Sequence, residues 1–356
     1  MKRSITFKIV PFLIILLIFS CSKKLEDNSK EVGSLNLDVP KEIPFALVIH
    51  GGAGTIIKEN MTDDQEEAYR SKLQEALDTG YSILEKGGSA EEAVQKAIIV
   101  MEDSPLFNAG KGAVLNSLGK QEMDASIMDG KTLNAGAVAG VSLIRNPINA
   151  AILVKDSTRH ILLSGNGAQE FAKQYNLKME EESYFLTEKR VQQLHKAQGK
   201  EQVLLQQNIK NIELIDNHEY GTVGCVAIDK SHTIVAGTST GGMTNKKFGR
   251  IGDSPIIGAG TYANNKTCGI SCTGTGEYFM RTLAAHEVSN LMQYRDMNLQ
   301  DAMKQVIHVE IDSLGGDGGM IGLDKLGNIA WDFNTEGMYR GYRKSTGENV
   351  IEIYQK

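Results

Sequence analysis

Tryptophan is nearly missing from this chain: there is one in 356 residues, and aromatics make up 6% in all. Packing of large rings therefore does not organise the protein. Its 37 glycines point instead to tight turns and close backbone approach. Cysteine is scarce as well. Cys21 lies in the leader, and only Cys225, Cys268 and Cys272 follow, all in strand-like apolar surroundings. Three cysteines cannot pair fully, which excludes a disulfide framework, and Cys268-x-x-x-Cys272 lacks the partner spacing of a zinc site. They read as buried small hydrophobes. Positive charge is not in excess. The formal net charge is −6, and removing residues 1–20, with Lys2, Arg3, Lys8 and no acid, takes it to −9. That argues against non-specific nucleic-acid binding and against a basic membrane-facing patch. The apolar run Ile9–Phe19 is too short to span a bilayer comfortably.

What is present is an ordinary globular composition, 41% hydrophobic and 23% charged, long enough for one large domain or two small ones. The leader has a basic start, its apolar run, and then Ser20-Cys21. The order Ile18-Phe19-Ser20-Cys21 resembles a bacterial lipobox, with cleavage before Cys21 and lipidation of that cysteine; the alternative is a plain secretory signal. The expectation is a signal peptide over 1–20 and a polar tether over 21–43. The chain would then be an exported lipoprotein at the periplasmic face of the outer membrane or cell envelope, touching the membrane through its N-terminal lipid only.

Beyond the tether, FALVIH (Phe45–His50) reads as a buried strand running into HGGAGT. Thr62 with Gln65 forms a capping-box pattern ahead of Tyr69, Leu73, Leu77 and Leu84 at helical spacing. Ser89 with Glu92 opens a second helix, with Val94, Ala97, Ile98 and Met101 on one face. Strands follow at Ala135–Leu143 and Ile161–Leu163. The segment 173–220 is polar, with one helix near Thr187–Lys200 and a tail from about 200 to 221. Gly221–Pro255 then organises the rest. Val223, Cys225, Ala227 and Ile234, Ala236 alternate along two runs joined by a polar turn at Asp229–His232, which is a β-hairpin pattern. Such a hairpin brings Thr222 and Thr240, 18 positions apart, together in space. Arg250 and Asp253 lie in the Gly/Pro-rich loop that follows, suited to clamping a small charged ligand. Cys268–Thr273 reads as a strand, Gly274–Gly276 as a tight turn, and Glu277–Met292 as one helix; His286 and His308 read as surface or packing residues. A shift of 95 residues aligns Gly224/Gly319, Asp229/Asp324, Ile234/Ile329 and Thr240/Thr335, so a second hairpin is expected.

HGGAGT (His50–Thr55), PLFNAGKGAV (Pro105–Val114), MDASIMDG (Met123–Gly130), the hairpin and its loop, SCTGTGE (Ser271–Glu277) and FNTEGMYR (Phe333–Arg340) occur in the order found in one family. The chain from Pro44 onward resembles the plant-type asparaginase/isoaspartyl peptidase family of N-terminal-nucleophile threonine hydrolases. The resemblance implies an α/β (α+β) fold, a four-layer αββα sandwich over residues 44–356. It implies self-cleavage between Gly221 and Thr222 into chains 44–221 and 222–356, and a dimer of such pairs.

By the same resemblance, Thr222 is the nucleophile, Thr240 hydrogen-bonds it, and Thr273 with the Gly274 N–H forms the oxyanion hole. Arg250 grips the substrate α-carboxylate and Asp253 its α-ammonium, with Asn108 and Gly276 as further pocket residues. A loop binding sodium through the main chain would use Met101, Glu102, Ser104, Phe107, Ala109 and Lys111; no cofactor is implied for catalysis. The chemistry is coherent on its own terms. A threonine hydroxyl needs a base, and a freed α-amine, with an unperturbed pKa of about 8, can serve. The expected substrates are small aspartyl compounds, β-aspartyl dipeptides and L-asparagine, from which L-aspartate is released.

Three rivals stand beside this reading. Gly237–Gly241 fits G-x-S-x-G, but the nucleophile elbow must lead directly into a helix, and MTNKKFGRIGDSP does not start one. A glycosylasparaginase is the near neighbour, but carries Asp-Thr at its cut where this chain has Gly-Thr. A non-catalytic lipoprotein that binds aspartyl ligands belongs to another class and requires an intact chain.

Overall fold

The computed structural model describes residues 45–206 and 221–355, which belong to one compact unit. Two sheets face each other. The larger has eight strands in the order β12-β11-β1-β5-β6-β2-β3-β4, where β1 is Ala46–Gly54, β2 Met123–Asp129, β3 Ala135–Val141, β4 Leu162–Ser164, β5 Val223–Ile228, β6 Ile234–Thr240, β11 Gly337–Lys344 and β12 Asn349–Tyr354. The smaller runs β10-β9-β8-β7, from β7 (Thr261–Ala263), β8 (Cys268–Gly274), β9 (Gly318–Asp324) and β10 (Ile329–Phe333). Neighbouring strands are antiparallel except β3 and β4.

Three apolar clusters define four layers. Helices α1 (Asp63–Glu85), α2 (Ala90–Glu102) and α3 (Pro147–Ser157) cover the outer face of the large sheet. There Leu73, Leu77, Val94 and Ile98 meet Leu47, Ile49, Cys225 and Ala227. The alternate residues Val48, Val226 and Ile234 point inward to Ile321 and Leu323 of the small sheet. Beyond that sheet, Ile270 and Met320 pack under the helices from Gly276 to Gln305. The two-residue period of a strand is what lets one sequence serve two cores. The αββα sandwich expected from the sequence is the architecture observed.

Local signals placed the elements. Thr62 and Gln65 close a full capping box, and the Ser89 hydroxyl accepts from the Glu92 N–H. The hairpin forms with Val223 opposite Ser239 and Ile228 opposite Ile234. The three body cysteines are free and buried, and burial pushes the Cys225 and Cys268 thiols up.

Two expectations need correction. The helix read over Glu277–Met292 is broken into α7 (Gly276–Thr282) and α8 (Ala284–Arg295), because Leu283 is left-handed at φ 50°. The turn swings the start of α8 against the loop before β7, where Ala285 and His286 N–H groups donate to the Ala259 and Gly258 carbonyls. A straight helix would have kept those donors inside itself. The polar segment before the hairpin is also better anchored than its composition implied. Helix α6 spans Glu188–Gln206 and buries Arg190, Leu194 and Ala197 at helical spacing, and the Arg190 Nε donates to the Gly112 carbonyl at 2.6 Å. The rest of the expected tail, 207–220, lies outside the described residues, as do the leader and Cys21.

Leu77 is fully buried between α1 and the large sheet, close to Gly341. Leu77→Ala is expected to lower unfolding free energy by about 2–5 kcal/mol, the usual cost of such a cavity, read as a lower urea midpoint at constant m-value.

Candidate active site

The hairpin register brings the two threonines together. Thr222 Oγ1 lies 2.9 Å from Thr240 Oγ1, both buried, at the open end of β5–β6. Thr240 Oγ1 also accepts from the Gly242 N–H at 3.0 Å, which orients its hydroxyl. The carbonyl of Gly221, immediately before Thr222, accepts from the Asn108 N–H at 2.8 Å.

Asn108 acts as a bracket for this end of the hairpin. Its Nδ2 donates to the Gly242 carbonyl and its Oδ1 accepts from the Val114 N–H, while its own carbonyl accepts from the Gly241 N–H. A Cβ on Gly221 would lie 2.7 Å from Asn108 Cβ, so glycine is required where the chain crosses Asn108.

Thr273 and Gly274 end β8 on the facing sheet. Gly274 has φ 151°, and a Cβ there would sit 2.5 Å from the Asp317 carbonyl oxygen. Thr273 Oγ1 is buried and has no hydrogen-bond partner. Gly276 opens α7 against the clamp. A Cβ at that position would lie 2.7 Å from Asp253 Oδ1 and 3.0 Å from Arg250 Nη2. The structure thus packs Gly276 directly against Arg250 and Asp253, beside the end of β8.

The charges of the clamp are arranged with an edge to spare. Arg250 Nε and Nη2 donate to the two carboxylate oxygens of Glu277 at 2.8 and 2.7 Å. This bidentate pair uses the side-on edge of the guanidinium, and the end-on edge formed by Nη1 and Nη2 still carries donors. Asp253 is buried with Oδ2 unpartnered, and burial pushes its carboxyl up to about 7 against the pull of Arg250. Asp124 pairs across the strands with Thr240, and burial raises its carboxyl while Lys246 and Arg250 oppose the rise. The Lys246 ammonium is buried too, donating to the Glu122 carbonyl at 2.6 Å.

Glu277, Asp124 and Lys246 were not singled out from the sequence. Glu277 and Asp124 stand inside two of the motifs quoted above, but only the fold shows that they face Arg250 and Thr240.

The loop from Met101 to Lys111 ends α2. A Cβ on Gly110 would lie 2.3 Å from the Glu102 carbonyl oxygen, and one on Gly112 2.1 Å from that of Phe107. The glycines leave room for carbonyl oxygens, a donor type suited to a hard cation. Glu102 also has a side-chain role. Its buried carboxyl is pushed up to about 8 by burial, and Oε1 accepts from Ser239 Oγ at 2.7 Å and from the Ile148 N–H. Ser104 Oγ accepts from the Leu106 N–H, Phe107 packs edge-on to Tyr69, Ala109 accepts from the Gly112 N–H, and the Lys111 ammonium sits over the Tyr184 ring.

A four-layer αββα sandwich with a threonine opening a central strand, a second threonine bonded to it and an acid–arginine clamp defines an N-terminal-nucleophile hydrolase. Comparison with known proteins narrows this class. A family model described as Asparaginase matches residues 43–353, and the chain belongs to that family. It is 46% identical over 321 residues to a putative isoaspartyl peptidase/L-asparaginase of Dictyostelium discoideum, covering 83% of this chain and 92% of that one. It is 45% identical over 310 residues to an isoaspartyl peptidase of Salmonella typhimurium, covering 87% and 98%. It is 44% identical over 312 residues to a plant-type L-asparaginase of Pyrococcus horikoshii, covering 84% and 96%.

These relatives also correct the expected location. They match over nearly their whole length, and the Salmonella relative and an isoaspartyl peptidase of Escherichia coli are named as enzymes, neither as a lipoprotein. The assignment as an exported lipoprotein at the periplasmic face of the outer membrane or cell envelope is withdrawn. Among the described residues, no helix is long and apolar enough to cross a membrane.

Gly276→Ala is expected to lower kcat/KM at least about 100-fold, because the added methyl would overlap the Asp253 main-chain nitrogen at 2.8 Å and its Oδ1 at 2.7 Å and so displace Asp253 from Arg250, while the melting temperature shifts by only a few degrees. A glycine-like activity in this variant would show that the placement of Asp253 beside Arg250 does not govern turnover.

Proposed function

We propose that this protein is an amidohydrolase that frees L-aspartate from β-aspartyl dipeptides and L-asparagine, with Thr222 as nucleophile once the Gly221–Thr222 bond has been cut. The observation that carries the reading is the buried Thr222–Thr240 hydroxyl pair directly after a glycine whose carbonyl is held by the Asn108 N–H. Maturation begins with attack of the Thr222 hydroxyl on the Gly221 carbonyl carbon. The acyl group moves from nitrogen to oxygen, and water hydrolyses the ester. The products are a Gly221 carboxylate and a free Thr222 amine, dividing the chain into 44–221 and 222–356.

In turnover the Thr222 amine takes the proton of its own hydroxyl as Oγ1 attacks the side-chain carbonyl of the aspartyl substrate. The β-methyl of threonine restricts χ1, and Thr240 holds the oxygen in place. The developing oxyanion is met by Thr273 Oγ1, which has no competing partner, and by the Gly274 N–H. Collapse of the intermediate releases ammonia or an amine with the proton held by the α-amine. Water then cleaves the aspartyl ester. Arg250 presents its end-on guanidinium edge to the α-carboxylate, steadied from the side by Glu277, and Asp253 receives the α-ammonium.

Two further parts belong to the same proposal. A sodium ion on the Met101–Lys111 loop would be held by main-chain oxygens and would stiffen the chain that carries Asn108. Two cleaved pairs would associate as a dimer, as in the family the sequence resembles.

Denaturing electrophoresis with N-terminal sequencing is expected to give a fragment beginning at Thr222, and Thr222→Ala is expected to abolish both cleavage and hydrolysis of aspartyl amides. An uncut wild-type band with full activity would overturn the reading. The clamp adds a pH signature. Asp253 must be ionised to receive an ammonium, and its carboxyl stands near 7, so KM is expected to rise about tenfold per pH unit as pH falls below about 7. In Asp253→Asn, KM should be high and independent of pH over this window. A KM profile that stays flat from pH 5 to 9 in the wild type would exclude this role.

A further inference from the structure

The mechanism leaves unused a run of buried polar side chains between the two sheets. Ser126 Oγ lies 2.6 Å from the Ser254 carbonyl and 2.8 Å from Thr261 Oγ1, and Thr261 donates to Thr238 Oγ1 at 2.5 Å. Thr238 Oγ1 is 2.7 Å from Ser271 Oγ, which is 2.9 Å from His50 Nε2. All five side chains are buried.

Each link stands one step behind a group that acts. Thr238 precedes Thr240 by two residues, Ser271 precedes Thr273 by two, and Ser254 follows Asp253. His50 pairs across the strands with Gly224, two residues beyond Thr222. Because side chains two apart on a strand share a face, the links and the functional hydroxyls line the same gap between the sheets. At Gly224 the fit is tight. A Cβ there would lie 2.0 Å from Ser271 Oγ and 2.3 Å from His50 Nε2, so the imidazole and hydroxyl occupy the room that glycine leaves. Burial holds the His50 imidazole neutral, with a pKa lowered to about 3, and the Thr222 main chain is the group that opposes this.

Stability alone does not account for such a row. Buried polar groups must be desolvated before they bond, and an apolar filling of the same shape is often as stable. What bonded hydroxyls add is direction. They fix how far one strand stands along another.

We propose that His50 is a positioning residue for the hydrolytic reaction. Standing on the strand that pairs with the one beginning at Thr222, it is bonded to Ser271 and through it to Thr238, which ties the two sheets together behind Thr240 and Thr273, so nucleophile and oxyanion donors keep their spacing across the sheets. This inference rests on the reading of Thr222 as nucleophile.

The test uses the full-length, matured protein with L-asparagine, each rate being scaled to the fraction of chains cut at Thr222. His50→Leu removes the link, and His50→Gln returns an amide near the Nε2 position. His50→Leu is expected to lower kcat about 10–100-fold, up to the cost of a small misplacement of reacting groups, with KM changed less than about threefold. His50→Gln should recover at least a third of the lost kcat, on a logarithmic scale. Thr238→Val and Ser271→Ala should each lower kcat in the same way, and combining Thr238→Val with His50→Leu should cost little more than the worse single change, since both break one unit.

These two hydroxyl variants carry the test if His50→Leu does not mature. An unchanged kcat, a loss confined to KM, or His50→Gln no better than His50→Leu would each overturn the inference. A wild type inactive on aspartyl amides would instead overturn the reading of the site.

Discussion

The register of one hairpin sets everything else in this molecule. With Val223 opposite Ser239, the residues just outside the ladder, Thr222 and Thr240, meet at 2.9 Å. A slip of one residue would turn every side chain of β5 to the opposite face, sending Cys225 and Ala227 inward and Val226 out under the helices. Register is therefore fixed by two cores at once, since both faces of β5 are buried. The hydroxyl pair needs no separate device to bring it together. It inherits its geometry from hydrophobic alternation.

The sequence repeat is the same constraint expressed twice. Gly319 pairs with Phe333 in β9–β10, which is the position equivalent to Gly224 opposite Thr238 after the shift of 95. The turns match in chemistry as well as in length. Asp229 accepts from the Ser231 and Thr233 N–H groups, and Asp324 from those of Leu326 and Asn328. At the open ends the copies part. The second hairpin has Asp317 where the first has Thr222, and Thr335 spends its hydroxyl on the Gly337 carbonyl. Similar hairpins in facing sheets thus make one fold, and only the first carries a pair of bonded hydroxyls at its open end.

Periodicity made the layers legible: Leu73, Leu77, Val94 and Ile98 all reach the core that their spacing implied. Motif order gave the placement of the candidate site, because a hairpin and two glycine turns dictate where Thr222, Thr240 and Gly274 can stand. The features that escaped depend on contacts between distant segments. The break at Leu283 answers to carbonyls of Gly258 and Ala259, which lie on another loop. The docking of α6 depends on Arg190 reaching Gly112, which composition cannot foretell, since a charged residue in a polar helix reads as solvated. Glu277 lies 27 positions from the arginine it steadies. In each case local chemistry permitted several arrangements, and tertiary structure chose one.

The clamp shows why this end of the molecule must be stabilised from elsewhere. Asp253 and Asp124 are buried carboxyls whose ionised forms are disfavoured by desolvation, and Lys246 is a buried ammonium pulled down for the same reason. Gathering them beside Arg250 costs the folded state energy that no contact within the clamp returns in full, because Asp253 Oδ2 and Asp124 Oδ2 have no partner. A ligand bearing an ammonium next to a carboxylate has the pattern that would satisfy both Asp253 and the open edge of Arg250. The unmet polar groups and the tight glycines around them are thus one design. The cores on either side of the large sheet supply the rigidity that holds these unsatisfied groups in place.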